Sequence, residues 1–133
     1  LGSLTAYFIS SGMQGHTAYP HLASNPIDSM TELIQSILGK KLDAGSKYFE
    51  PSTTSFTTID VGNVTNNVIP PTCKATLNIR FNDLHSSKTL INWLDEQIKR
   101  INKLYQSKIT MEVKVSGESF INPNTNFTKM GTF

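Results

Sequence analysis

Residues 72–82, TCKATLNIRFN, decide the fold class of this chain. Apolar side chains alternate with polar ones throughout the stretch, at Cys73, Ala75, Leu77, Ile79 and Phe81. Successive side chains of a strand point to opposite faces of a sheet, so this alternation predicts a strand with one buried and one solvated face. One-sided burial is typical of an antiparallel sheet that is covered on one side.

Three further segments are predicted to be strands. Residues 3–11 are apolar and aromatic, residues 54–61 are rich in β-branched side chains, and residues 109–115 alternate again. The segment from Gly117 onward is rich in Asn, Pro and Gly, and we expect it to be loose.

Two segments have the 3.6-residue apolar period of a helix. The first has Asn25 as a candidate N-cap, Pro26 at the first helical position and Gly39 as a stop. Its apolar residues are Ile27, Met30, Ile34, Ile37 and Leu38. The second begins at a Ser86 or Ser87 cap, and its apolar residues are Leu90, Leu94, Ile98, Ile101 and Tyr105.

The resulting order, β-α-β-β-α-β, predicts an α+β fold. We expect a two-layer sandwich, ferredoxin-like, in which a four-stranded antiparallel sheet carries both helices on one face. Residues 1–120 would form this domain and residues 121–133 a loose C-terminal segment.

Composition excludes several classes of function. Hydrophobic residues make up 38% and mean hydropathy is −0.23, which argues against a membrane protein. A net charge of +2 is too small to indicate the clustered basic surface that nucleic-acid binding requires. A single cysteine, Cys73, excludes an internal disulfide framework and fits a reducing compartment. Residues 1–11 do not resemble a signal peptide, so we expect a cytoplasmic protein.

Common catalytic and metal-binding motifs do not occur in the sequence. A zinc site needs three or four converging ligands, and the spacing of the three histidines and one cysteine does not supply them. A nucleophile elbow, a phosphate loop and a dinucleotide fingerprint are also missing. We therefore expect this chain to bind no metal or cofactor itself.

Two loops attract attention, at residues 12–21 and 66–70. Each could be a plain connection, the first stiffened by Gly and Pro and the second an Asn-rich turn. Strands one and three run antiparallel in the predicted fold, so the exit of strand one lies near the start of strand three. His16 should therefore lie at the same end of the sheet as Asn66 and Asn67. Arg80, on the polar face of strand three, is either a solvated surface charge or a contact for an anion.

Specific motifs resemble one enzyme family. They are GHTAYPHLASNPI at residues 15–27, NNVIP at 66–70 followed by NIRF at 78–81, and Asp43-x-Gly45 followed by YFEP at 48–51. Together, from about Leu4 to Phe120, they resemble the dimerisation, or lid, domain of the zinc-dependent aminoacylase and carboxypeptidase-G-type peptidases.

The resemblance implies a function for a longer protein. A catalytic domain, missing here, would hold two zinc ions, and this domain would pair two subunits. The agreement is strongest with members that hydrolyse N-succinyl-LL-2,6-diaminopimelate to succinate and LL-diaminopimelate, in lysine and cell-wall precursor biosynthesis. This chain alone should be inactive.

The resemblance also assigns roles to individual residues. His16 would be catalytic, reaching into the partner subunit's active site and donating to the oxyanion of the tetrahedral intermediate. Asn66 would contact substrate across the same interface, with Asn67 beside it. Tyr19 and Arg80 would contact the carboxylates of the substrate. His21 also falls within the motif but receives no catalytic role.

Strand two predicts how two copies would pair. Residues 54–61 are Thr-rich, contain one charge, Asp60, and lack Lys and internal Pro, two of the features that usually keep an edge strand from pairing. We expect a homodimer through this edge and the adjacent helix. Two alternatives remain open: the same domain of a related aminoacylase or dipeptidase, or a free-standing ferredoxin-like binding module.

Overall fold

A computed structural model describes residues 1–12, 25–63 and 65–117 of the chain. In chain order the elements are β1 (Gly2–Ser11), α1 (Pro26–Leu38), β2 (Thr53–Asp60), β3 (Thr72–Phe81), α2 (Ser87–Tyr105) and β4 (Lys108–Gly117). Among the described residues, neither α1 nor α2 combines the length and the hydropathy that a membrane-spanning helix requires.

Across the described residues the strands form one four-stranded sheet in the order β2-β3-β1-β4. All neighbouring strands are antiparallel, and β1 lies between β3 and β4. This topology confirms the predicted α+β sandwich. It also confirms that strand two is an edge strand, since β2 pairs with β3 alone in the described ranges.

The core fills the space between one face of the sheet and the two helices. Strand β3 supplies its centre, since the apolar residues of its alternating series, from Cys73 to Phe81, are all buried. The remaining core residues come from both helices and the other strands, and they include Leu4, Phe8, Met30, Leu33, Leu94 and Ile101. The opposite face of the sheet carries no helix among the described residues.

Both helices begin after predicted N-cap residues, Asn25 for α1 and Ser86 for α2. The Asn25 side chain accepts a hydrogen bond from the Ile27 amide, and Ser86 forms a capping box with Thr89. Gly39 ends α1 as predicted but keeps a right-handed backbone, with φ of −74°. A Cβ at Gly39 would stand 3.0 Å from the Gln35 carbonyl oxygen, so close approach is the reason for glycine there.

Asp43 organises the irregular segment between α1 and β2. Its Oδ1 accepts hydrogen bonds from the Gly45 amide (2.8 Å), the Ser52 amide (3.1 Å) and Asn82 Nδ2 (2.8 Å). Its Oδ2 accepts from His85 Nε2 at 2.9 Å. Burial alone would raise the pKa of Asp43, but the hydrogen bonds outweigh it and hold the pKa far below its ordinary value of 3.8. The Asp43-x-Gly45 motif therefore has a structural explanation.

Candidate functional site

The candidate site lies at the end of the sheet where β1 ends and β3 begins. Ser11 pairs with Thr72 across these strands, and the Gly12 amide donates to the Pro71 carbonyl at 3.4 Å. At the same end, a buried hydrogen bond of 2.7 Å joins the hydroxyls of Ser10 and Ser29, near the start of α1. The predicted convergence of the two loops is therefore confirmed for the backbone that flanks them. His16, Tyr19 and His21 lie outside the described residues.

The second loop, residues 61–71, is called the Asn-Asn loop below. Asn66 and Asn67 are both exposed at its tip. Val68 and Ile69 follow them and are 59% and 48% exposed, whereas Pro70 is buried. The loop thus presents two amide side chains and two apolar ones to solvent, and it is anchored in the domain at its C-terminal end.

Asn63 ties the Asn-Asn loop to itself. Its Nδ2 donates to the carbonyl of Val68 at 2.8 Å, and its Oδ1 accepts from the Thr65 hydroxyl at 3.3 Å. Gly62 enters the loop with a φ of +67°, a conformation that favours glycine. Sequence reasoning did not single out Asn63, because an Asn in a polar loop gives no signal for a contact five residues away.

Arg80 does not belong to this end of the sheet. It lies eight residues beyond Thr72 on β3, about 26 Å away at the usual rise per strand residue. There it pairs with Ser3 on one side and Thr53 on the other. Its side chain is exposed on the face without helices. The structure therefore separates Arg80 from Asn66 and Asn67 within one chain.

Cys73 lies next to the candidate site but faces the core. It is 2% exposed, and burial, with a smaller effect of Asp60, raises the pKa of its thiol. A buried neutral thiol is a poor nucleophile, so Cys73 contributes packing to this end of the sheet.

An apolar surface flanks the outer edge of β2. Ile59 is 61% exposed although it lies on the helix-covered face, opposite Ala75 of β3. On α1, Ile27 and Leu38 are exposed, and with half-buried Ile34 they follow one another at helical spacing. The side of α1 that faces α2 is a different one, since hydrogen bonds join Ser36 to Gln97 and Glu32 to Tyr105. The apolar stripe thus lies on the side of α1 away from α2, above the β2 edge.

The described residues do not fit a bound metal ion. No group of three or more His, Cys, Asp or Glu side chains in the described ranges could hold one. The pair of Asp43 and His85 is engaged in hydrogen bonds to its surroundings.

The fold agrees with comparisons to known proteins. A sequence model described as a peptidase dimerisation domain matches residues 1–106. The chain belongs to the peptidase dimerisation domain family. It is 48% identical over 122 residues to succinyl-diaminopimelate desuccinylase of Cereibacter sphaeroides and 46% identical to that of Ruegeria pomeroyi. Each alignment covers 92% of this chain and 32% of the relative, so the chain spans about a third of these enzymes.

Solved structures show the same fold at low sequence identity. An aminobenzoyl-glutamate utilization protein from Klebsiella pneumoniae superposes with a TM-score of 0.71 at 13% identity, over 92% of this chain and 30% of that one. A tripeptidase from Staphylococcus aureus gives a TM-score of 0.65 at 16% identity, over 96% and 33%. At such identities the likeness establishes the architecture alone.

Proposed function

We propose that this chain is the dimerisation and substrate-lid domain of a dinuclear zinc hydrolase that cleaves N-succinyl-LL-2,6-diaminopimelate to succinate and LL-diaminopimelate. The observation that carries the proposal is the 48% identity to a succinyl-diaminopimelate desuccinylase across nearly the whole chain. The Asn-Asn loop and the end of β1 lie together at one end of the sheet, where such a domain would meet a reaction centre.

The length of the strands favours action on the partner's active site. Ser3 pairs with Gly117, so the start of β1 and the end of β4 lie at one end of the sheet. The Asn-Asn loop lies at the other end, about 30 Å away along the ten residues of β1. His16 is four residues from Gly12, and four residues reach at most about 14 Å. If the catalytic domain of the same subunit is joined beside these two strand ends, it starts at the end of the sheet opposite the Asn-Asn loop, which favours the partner's catalytic domain as the recipient of His16.

His16 would supply a hydrogen-bond donor to the reaction. Its imidazole N–H would donate to the oxygen that becomes negative when the amide carbon turns tetrahedral. A donor placed where charge develops lowers the barrier by about 3–4 kcal/mol. Because the donor would come from another subunit, activity would depend on dimer formation and on closure of the domain over substrate.

Substrate recognition would be divided among four other residues. Asn66 and Asn67 would bind polar groups of the substrate beside His16, using the exposed amides at the loop tip. Tyr19 and Arg80 would bind its carboxylates. Since Arg80 lies at the opposite end of the sheet from the Asn-Asn loop, it would serve the catalytic domain of its own subunit.

The homodimer would form through the edge at residues 54–61, all but the last of which belong to β2, and through α1 beside it. Two edges pairing antiparallel would make one continuous sheet. The apolar stripe of Ile27, Ile34 and Leu38, together with Ile59, would then be buried against the second copy. The exposed members, Ile27, Leu38 and Ile59, are the support for an interface at this edge.

The zinc ions would be held by the catalytic domain of the longer protein, where they would polarise the amide carbonyl and supply hydroxide. In the described part of this chain, no three His, Cys, Asp or Glu side chains converge to hold a metal ion. This chain alone would therefore be inactive. The complete enzyme would work in the cytoplasm, where its biosynthetic substrate is made.

The decisive experiment is a substrate panel with the complete protein that carries this chain. We expect zinc-dependent hydrolysis of N-succinyl-LL-2,6-diaminopimelate, and no hydrolysis by residues 1–133 alone. Faster turnover of simple N-acyl amino acids or dipeptides would instead assign a related aminoacylase or dipeptidase. A complete protein with no hydrolase activity and no self-association would refute the proposal.

A further inference from the structure

We propose that Asn63 is a positioning residue that holds Asn66 and Asn67 in their substrate-binding arrangement; this inference rests on the proposed function. The Asn-Asn loop must present two short amide side chains at fixed positions. It does so from an exposed segment, where little packing restrains it.

The hydrogen bonds that restrain the tip of the loop come from one side chain. Asn63 Nδ2 donates to the Val68 carbonyl at 2.8 Å and closes a ring around Asn66 and Asn67. The described part of the loop has three hydrogen bonds. One joins Gly12 to Pro71 at the base of the loop, and the other two are made by the Asn63 side chain. The amide of Asn63 therefore restrains the tip.

Thr65 fixes the orientation of that amide. Its hydroxyl donates to Asn63 Oδ1 at 3.3 Å, so the oxygen of the amide is engaged and the NH₂ group is directed to Val68. The arrangement uses both ends of the amide, one as acceptor and one as donor. Aspartate would keep the size and the acceptor, lose the donor and add a negative charge.

A restrained loop binds substrate more tightly because less conformational entropy is lost on binding. One exposed hydrogen bond contributes about 1 kcal/mol, which corresponds to a change in affinity of about fivefold. We therefore expect the loss of the Asn63 donor to act chiefly on KM, provided that Asn66 or Asn67 touches substrate.

The test is a double-mutant cycle in the complete protein with N-succinyl-LL-2,6-diaminopimelate as substrate. The variants are Asn63→Asp, Asn66→Ala and the double variant. We expect Asn63→Asp to raise KM about fivefold with kcat within about twofold of wild type. In the Asn66→Ala background the same change should be smaller, because one of the two residues that Asn63 positions is gone. Thr65→Val, which removes the hydroxyl, should raise KM by a smaller factor. Thr65→Ser, which keeps the hydroxyl, should leave KM close to the wild-type value.

A second measurement does not depend on activity. Backbone order parameters from NMR on residues 1–133 should fall at residues 65–68 in Asn63→Asp, with an unchanged melting temperature. If Asn66→Ala raises KM and Asn63→Asp does not, or if Asn63→Asp acts equally in both backgrounds, the inference is overturned. Failure of the wild-type protein to hydrolyse the substrate would instead remove the proposed function, and with it this inference.

Discussion

Replacing Asp43 by Ala should destabilise the domain by about 4 kcal/mol. Four donors converge on this buried carboxylate, and two of them, the amides of Gly45 and Ser52, have no other hydrogen-bond acceptor among the described residues. Asn82 would keep its bond to the Glu50 carbonyl, and His85 is partly exposed and could turn to water. Unsatisfied buried donors cost about 1–3 kcal/mol each, which sets the estimate.

Urea unfolding of residues 1–133, followed by circular dichroism, measures this loss. Asp43→Asn keeps an acceptor oxygen and should cost about 1–2 kcal/mol. Asp95→Asn is the matched control, since Asp95 is half-exposed and pairs with Lys99 at the surface, and it should change the free energy by less than about 0.5 kcal/mol. A loss below about 1 kcal/mol for Asp43→Ala would refute the assignment of Asp43 as the organising residue.

The pH dependence of stability gives an independent check on Asp43. Its pKa in the folded state lies below the ordinary value of 3.8, so its ionised form stabilises the fold above that value. This contribution is lost as the pH falls below about 4 toward the folded-state pKa. The wild-type free energy of unfolding should therefore fall more steeply in acid than that of Asp43→Asn. Parallel curves for the two proteins would contradict the lowered pKa.

Two further predictions concern assembly and substrate binding. Ile59→Lys should weaken self-association of residues 1–133 by about tenfold or more in sedimentation velocity, since an apolar contact is lost and a charge is added. Leu104→Lys is the control, because Leu104 is an exposed apolar residue on α2, and it should leave self-association unchanged. Equal association of the two variants would move the interface away from β2. In the complete protein, Arg80→Ala should lower kcat/KM about 10- to 100-fold, and Arg80→Lys should recover part of it by restoring charge without the planar fork. Unchanged kinetics would leave Arg80 a solvated surface residue.

The fold was predictable because its signals are local. Three of these signals can be read from neighbouring residues alone. They are the alternation in residues 72–82, the N-cap followed by Pro26, and the apolar stripe that follows a serine cap. Strand order then followed from the sequence of elements, and it placed the exit of β1 near the start of β3. The structure confirms that placement through the pairing of Ser11 with Thr72.

Other features depended on contacts between residues distant in sequence. The role of Asp43 requires Asn82 and His85, which lie about forty residues away, and no spacing rule links them. The separation of Arg80 from the Asn-Asn loop depends on strand length and direction, which a motif match does not show. Asn63 carried no motif at all. The roles of all five predicted site residues remain predictions from the resemblance: His16, Tyr19, Asn66, Asn67 and Arg80.

Subunit mixing in the complete protein tests the central claim, that one subunit completes the other's active site. One subunit carries His16→Ala, and the other carries an inactivating substitution of a zinc ligand in its catalytic domain. Each homodimer should be nearly inactive. Random mixing gives heterodimers with one complete site, so activity should return to about a quarter of the wild-type value if His16 acts in the partner. A mixture that stays as inactive as its components, although heterodimers form, would contradict the account.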